Sequence, residues 1–229
     1  RDCLHEELAQ SLGPLNDLYR LPDSVFNDDN VHTVLTGFDM LMLRTYYSPK
    51  LHNGMTRGQV AATLPHILRE INPRGETVMA RFSTRTPIQW KRAIETALGP
   101  GSNNKARTAS AAEALRIAEA MGWQDQRRAF AHYAIGRVIQ HEKPREAQQH
   151  FLAAKHFYEA TPGTNLHQAY VAAQLAAFAI TQGEGTQALG LIAPQVEIAR
   201  QHGPCVWTVW AGRVTDLVQT GLCGPSCAR

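Results

Sequence analysis

The chain has 229 residues and 25.3 kDa, enough for one large domain or two small ones with a sizeable core. Hydrophobic residues make up 44% and charged residues 19%, a balance that excludes wholesale disorder. The longest apolar stretch, 170–180, is alanine-rich and too short to span a bilayer, so no membrane span is expected. The net charge of +3 is unevenly spread: residues 1–39 carry eight acids and two bases, residues 40–98 three acids and nine bases. Such asymmetry fits either an acidic site answered by a basic surface or two solvated faces. Clustered bases interleaved with stacking aromatics are missing, so no nucleic-acid partner is expected.

Taken in chain order, residues 3–12 read as a helix stopped by Gly13-Pro14, with Leu4, Leu8 and Leu12 in one apolar stripe. Residues 14–34 are turn-rich and form a long irregular loop, a kind of segment that often carries function when ordered. Thr36-Gly-Phe-Asp39 and Thr56-Arg-Gly-Gln59 have the form of capping boxes and start two helices, the second ending near Asn72-Pro73. Beyond Pro73 the chain is irregular, with a short extended piece expected at 78–82 and a short helix at 87–98. The glycine- and asparagine-rich stretch 99–104 reads as an interdomain linker.

Beyond it the pattern changes to alanine-rich helices, expected at 110–121, 125–141, 144–160, 166–182, 186–202 and 206–220. Helices this long on loops this short must run antiparallel to their neighbours. The expected division is therefore 1–98, linker 99–104, and a helical domain 105–229.

The four cysteines, Cys3, Cys205, Cys223 and Cys227, match no zinc ribbon or finger. Cys223-Gly-Pro-Ser-Cys227 can close a tight terminal disulfide, which points to an oxidising compartment; free thiols are the alternative. Cys205 is not expected to pair with Cys223, because a helix of about 16 residues, roughly 24 Å long, separates them. The start at Arg1, a few residues before a helix, is expected of a processed protein or a fragment.

Ile135-Gly136 and Ile139 on one helix, followed by Ala147, Phe151 and Ala154 on the next, resemble a tetratricopeptide repeat. Leu175-Ala176, Ala179, Ala188 and Ile192 offer a second, degenerate copy, with Gln195 in place of the last small residue. The resemblance implies that Phe151 fills the gap between hairpins, that Ala147 lets helices approach closely, and that a protein or peptide binds the array. A generic antiparallel helical array is the alternative, with the same packing physics.

The segment from Glu6 to Asn16 resembles the metzincin peptidase signature, in which a helix supplies two histidines at i and i+4 and a catalytic glutamate beside the first. Glu7 matches the glutamate and Gly13 the turning glycine, while Glu6, Gln10 and Asn16 occupy the three histidine positions. Phe26 stands where the turn beneath the metal carries methionine, and the stretch through Asp39 to Tyr46-Tyr47 is similar to the closing helix. With Phe26-Asn-Asp-Asp29 and Gly54-Met55-Thr56, roughly residues 2–70 resemble a bacterial family of domains of unknown function, number 2927, whose members look like degenerate zincins.

Catalytic zinc wants three strong N, S or O ligands and an open position. Two neutral amides in place of imidazoles make a poor set, so no zinc or other cofactor is expected at Glu6, Gln10 and Asn16. Calcium, with Asp17, Asp28 and Asp29 nearby, is the hard-ion alternative. A surface helix would also put Glu6 and Gln10 on its polar side, opposite the leucine stripe. The sequence thus implies an all-α protein: a partial zincin-like subdomain followed by a tetratricopeptide-like array. Its expected role is a non-catalytic interaction scaffold, periplasmic or secreted, a pseudo-metallopeptidase; the alternative is a metal-dependent hydrolase using Glu7 as general base.

Overall fold

A computed structural model describes residues 4–14, 18–27, 29, 31–79 and 83–202. The described residues form helices and loops, with no strand among them. Two compact units divide the chain, Arg1–Arg85 and Thr86–Arg229.

The first unit contains α1 (Leu4–Ser11), α2 (Gly37–Tyr46) and α3 (Arg57–Ile71), then a 3-10 turn at Pro73–Thr77. Both capping boxes form: Thr36 accepts from the Asp39 N–H and Thr56 from the Gln59 N–H, while the side chains of Asp39 and Gln59 reach back to the cap N–H groups. The irregular segment between α1 and α2 supplies much of the core, burying Tyr19, Val25, Phe26 and Val31. Val78 and Met79 are exposed and belong to no strand; the rest of the expected extended piece lies outside the described residues.

The second unit begins before the expected linker. Helix α4 (Ile88–Leu98) packs on α5 (Asn104–Ala120) and α6 (Gln126–Ile139). Fully buried Trp90 sets its ring 5.8 Å from Trp123 and 6.5 Å from Phe130. This aromatic burial ties α4 to the segment after α5 and to α6, so the expected linker 99–104 is a short connection, 99–103, between packed helices of one unit, with Asn104 already in α5. Asn103 within it caps α5, accepting from the Ala106 N–H at 2.9 Å, which starts that helix earlier than expected.

Helices α7 (Pro144–Glu159), α8 (Asn165–Thr181) and α9 (Gly185–Ile192) continue the succession, each packed on its predecessor. Arg128 of α6 meets Phe157 of α7 at one end, and Gly136 meets Phe151 nearer the turn, so these two helices run antiparallel. The single helix expected over 186–202 is broken: Ala193–Gln195 is a 3-10 turn before α10 (Val196–His202). Pro194 is the cause, because it has no N–H and its ring clashes with the carbonyl four residues back. The helix expected at 206–220, with Cys205, Cys223 and Cys227, lies outside the described residues, as does Cys3. No helix among the described residues is long and apolar enough to cross a membrane.

Candidate functional site

The motif-bearing helix α1 presents a different face to the protein than its leucines suggest. Leu4, Leu8 and Leu12 are 57%, 55% and 48% exposed, whereas Ala9 is 1% exposed. Ala9 packs in a cluster with Val25 and Phe26, against which Leu35 also rests. Glu6 and Gln10 are half-buried on the same side as Ala9, and Glu7 is exposed. The expected solvated face of α1 is therefore its inner face, since a small alanine admits the Phe26 turn where a leucine would not fit.

Gly13 ends α1 with φ +129°, a conformation glycine adopts freely. A Cβ there would also stand 2.5 Å from the Tyr46 ring. The neighbouring Tyr47 hydroxyl donates to the Leu12 carbonyl at 2.6 Å, so the end of α1 is tied to the end of α2.

Asp39 organises the loop beneath. It is fully buried on the first turn of α2 and accepts from the Ser24 hydroxyl (2.5 Å), the Val25 N–H (3.1 Å) and the Thr36 N–H (2.8 Å). Ser24 accepts in turn from the Phe26 N–H at 3.1 Å, and Thr36 donates to the Asp23 carbonyl at 3.0 Å. The carboxylate thus holds the turn carrying Phe26 to the head of α2, a use of charge-assisted hydrogen bonds to fix backbone. Asp29 accepts from the Asn27 amide (2.6 Å) and the Val31 N–H (3.1 Å), shaping the next bend. Asn16, Asp17 and Asp28 lie outside the described residues.

In the second unit Phe151, Ala147 and Ala154 are all fully buried. The Phe151 ring lies 5.7 Å from Tyr133 of α6 and 6.1 Å from Phe178 of α8, so it bridges three successive helices.

One constellation is absent from the sequence motifs. His132 of α6 and His150 of α7 face each other with their Nδ1 atoms 3.0 Å apart. The His132 ring stacks on Phe157 at 5.8 Å and 9°, and the Arg128 guanidinium lies 4.6 Å over the same phenylalanine ring. Burial pushes His132 down to about 4, and the nearby His150 and Arg128 add to the effect. His150 is also lowered by burial, opposed by the carboxylate of Glu146. Both imidazoles are therefore neutral at physiological pH. The signal was available in the hairpin geometry: the two residues lie at equal distances from His141 in the turn, and such positions meet across an antiparallel pair. Spacing along one helix does not reveal them.

No curated protein and no solved structure matches the chain. Residues 1–66, which contain α1, the Asp39-centred loop, α2 and most of α3, match the model of the family described as "Protein of unknown function (DUF2927)".

Proposed function

We propose that the chain is a non-catalytic protein-interaction scaffold of an exported bacterial protein, pairing a degenerate zincin-like segment with tetratricopeptide-like hairpins. Phe151 carries this reading. It is buried between Tyr133, Phe178 and the Cα of Gly136, the place a repeat needs a large apolar residue between one hairpin and the next. Stacked hairpins of this kind leave exposed helix faces for a protein or peptide ligand.

The zincin-like part of the proposal draws on the order of α1, a turn bearing Phe26 against Ala9, and a closing helix headed by Asp39. Glu6 and Gln10 share the inner side of α1, where a zincin holds its histidines, but a carboxylate and an amide replace the imidazoles. Glu7 stands on the solvent side. The degenerate set supports a scaffold over a hydrolase.

Peptide selection on the immobilised chain tests the reading directly. Selected peptides should lose at least tenfold in affinity on charge reversal at exposed Arg137 of α6, with the unfolding midpoint measured alongside because Arg137 also donates to the Tyr133 hydroxyl. Peptides indifferent to the α6 and α8 faces would overturn the array as the binding surface. Peptide hydrolysis abolished by Glu7→Gln, or a zinc ion lost on Glu6→Ala, would overturn the non-catalytic assignment.

A further inference from the structure

We propose that His132 and His150, joined by Glu146, form a binding site for a divalent transition metal of the zinc class across the α6–α7 hairpin. The site is independent of the N-terminal motif and of the scaffold reading.

The hairpin brings two imidazole donors from different helices together. Zinc binds imidazole nitrogen at about 2.0–2.1 Å, so two nitrogens on one tetrahedral ion stand about 3.4 Å apart. The two Nδ1 atoms are at 3.0 Å and point at each other from different helices. The ring centroids are 5.3 Å apart, so the two rings face each other nearly in line, and both lone pairs meet one ion only after the rings part to about 4.1 Å or each swings by about 35°. In the metal-free chain one ring must donate a proton and the other accept it, so the rings hold opposite tautomers. Metal binding replaces that shared proton: the donor ring carries its proton on Nε2 instead, and both Nδ1 lone pairs face the ion.

The surroundings suit the exchange. Stacking on Phe157 holds the His132 ring in orientation. Both rings are half-buried, so an ion can enter from solvent. Glu146 lies four residues before His150 on α7, on the same helix face and one turn away, and its carboxylate would have to swing toward the rings to join them. It is exposed, and its Lys143 partner at 3.1 Å is a surface contact that is easily exchanged. Two imidazoles and one carboxylate with open positions are a donor set that zinc accepts. Arg128, the cation facing His132 from its own helix, is paired with Glu119 of α5 at 3.2 Å, which offsets its charge toward an incoming ion.

Zinc titration of the full chain, with its thiols alkylated to remove cysteine ligands, tests the proposal. The parent should take one zinc ion that is weakened at least tenfold in both His132→Gln and His150→Gln, and several-fold in Glu146→Gln. In long-range nitrogen–proton spectra of the parent, zinc should shift the Nδ1 resonances of these two rings together, a readout that needs no variant to fold. Equal binding by parent and histidine variants, or Nδ1 resonances unmoved by saturating zinc, would overturn the site. A proton shared by the two rings would then be the pair's whole chemistry.

Discussion

The ring of Phe151 lies where a Cβ on Gly136 would stand, its Cε1 only 2.8 Å from that position. Helix α6 can approach α7 this closely because residue 136 has no side chain, and the ring then reaches on to Phe178 of α8. Phe151→Ala should leave a cavity and cost about 3–5 kcal/mol. Gly136→Ala and Ala147→Leu should each cost about 1–3 kcal/mol through overpacking. Urea titration checks all three, and a loss under about 0.5 kcal/mol in each would mean that this contact does not hold the hairpins together.

The inner face of α1 makes a contrasting pair of predictions. Ala9→Leu should destabilise the first unit by about 1–3 kcal/mol, because the added bulk meets Val25 and Phe26. Leu8→Ser, on the exposed stripe, should change stability by no more than about 0.5 kcal/mol. The reverse ranking in thermal unfolding would put the leucines back inside.

Removing the Asp39 carboxylate should be costly in a different way. Asp39→Ala strands the N–H groups of Val25 and Thr36 together with the Ser24 hydroxyl, all in a buried setting. The expected loss is on the order of 3 kcal/mol or more. Amide exchange should show the 23–27 turn losing protection while α5 to α8 keep theirs. Unchanged exchange in the turn would contradict the role assigned to the carboxylate.

Acid should loosen the second unit through its histidine pair. A histidine whose folded value lies below its unfolded value of about 6.5 binds fewer protons folded than unfolded, so stability falls as pH drops. For His132 this window runs from about 6.5 down to its folded value of about 4. His150 is lowered too and adds to the same slope, with Glu146 on its own helix opposing it. His132→Gln should flatten the pH dependence of the unfolding midpoint across that window. An unaltered slope would show that the pair does not titrate with folding.

The helix ends were legible from residues three or four apart. Thr36 and Thr56 find their partners within one turn, and Gly13 stops α1 with a conformation that other residues adopt at a cost. Pro194 was equally local, and reading a helix through it ignored a lost N–H that the chain could not recover. Spacing gave Phe151, Ala147 and Ala154 one helix face, and all three are buried.

Which face of α1 turns inward could not be read that way. A stripe of leucines shows that a helix is amphipathic, but burial depends on the partner, and here a loop bearing Phe26 fits against Ala9. The extent of the second unit was decided by Trp90 meeting Trp123 and Phe130, and the imidazole pair by the register of α6 on α7. Capping and turn chemistry act over a few bonds and leave their mark in short strings of residues. Face, boundary and pairing depend on distances between residues far apart in the chain, which exist only once the helices have packed.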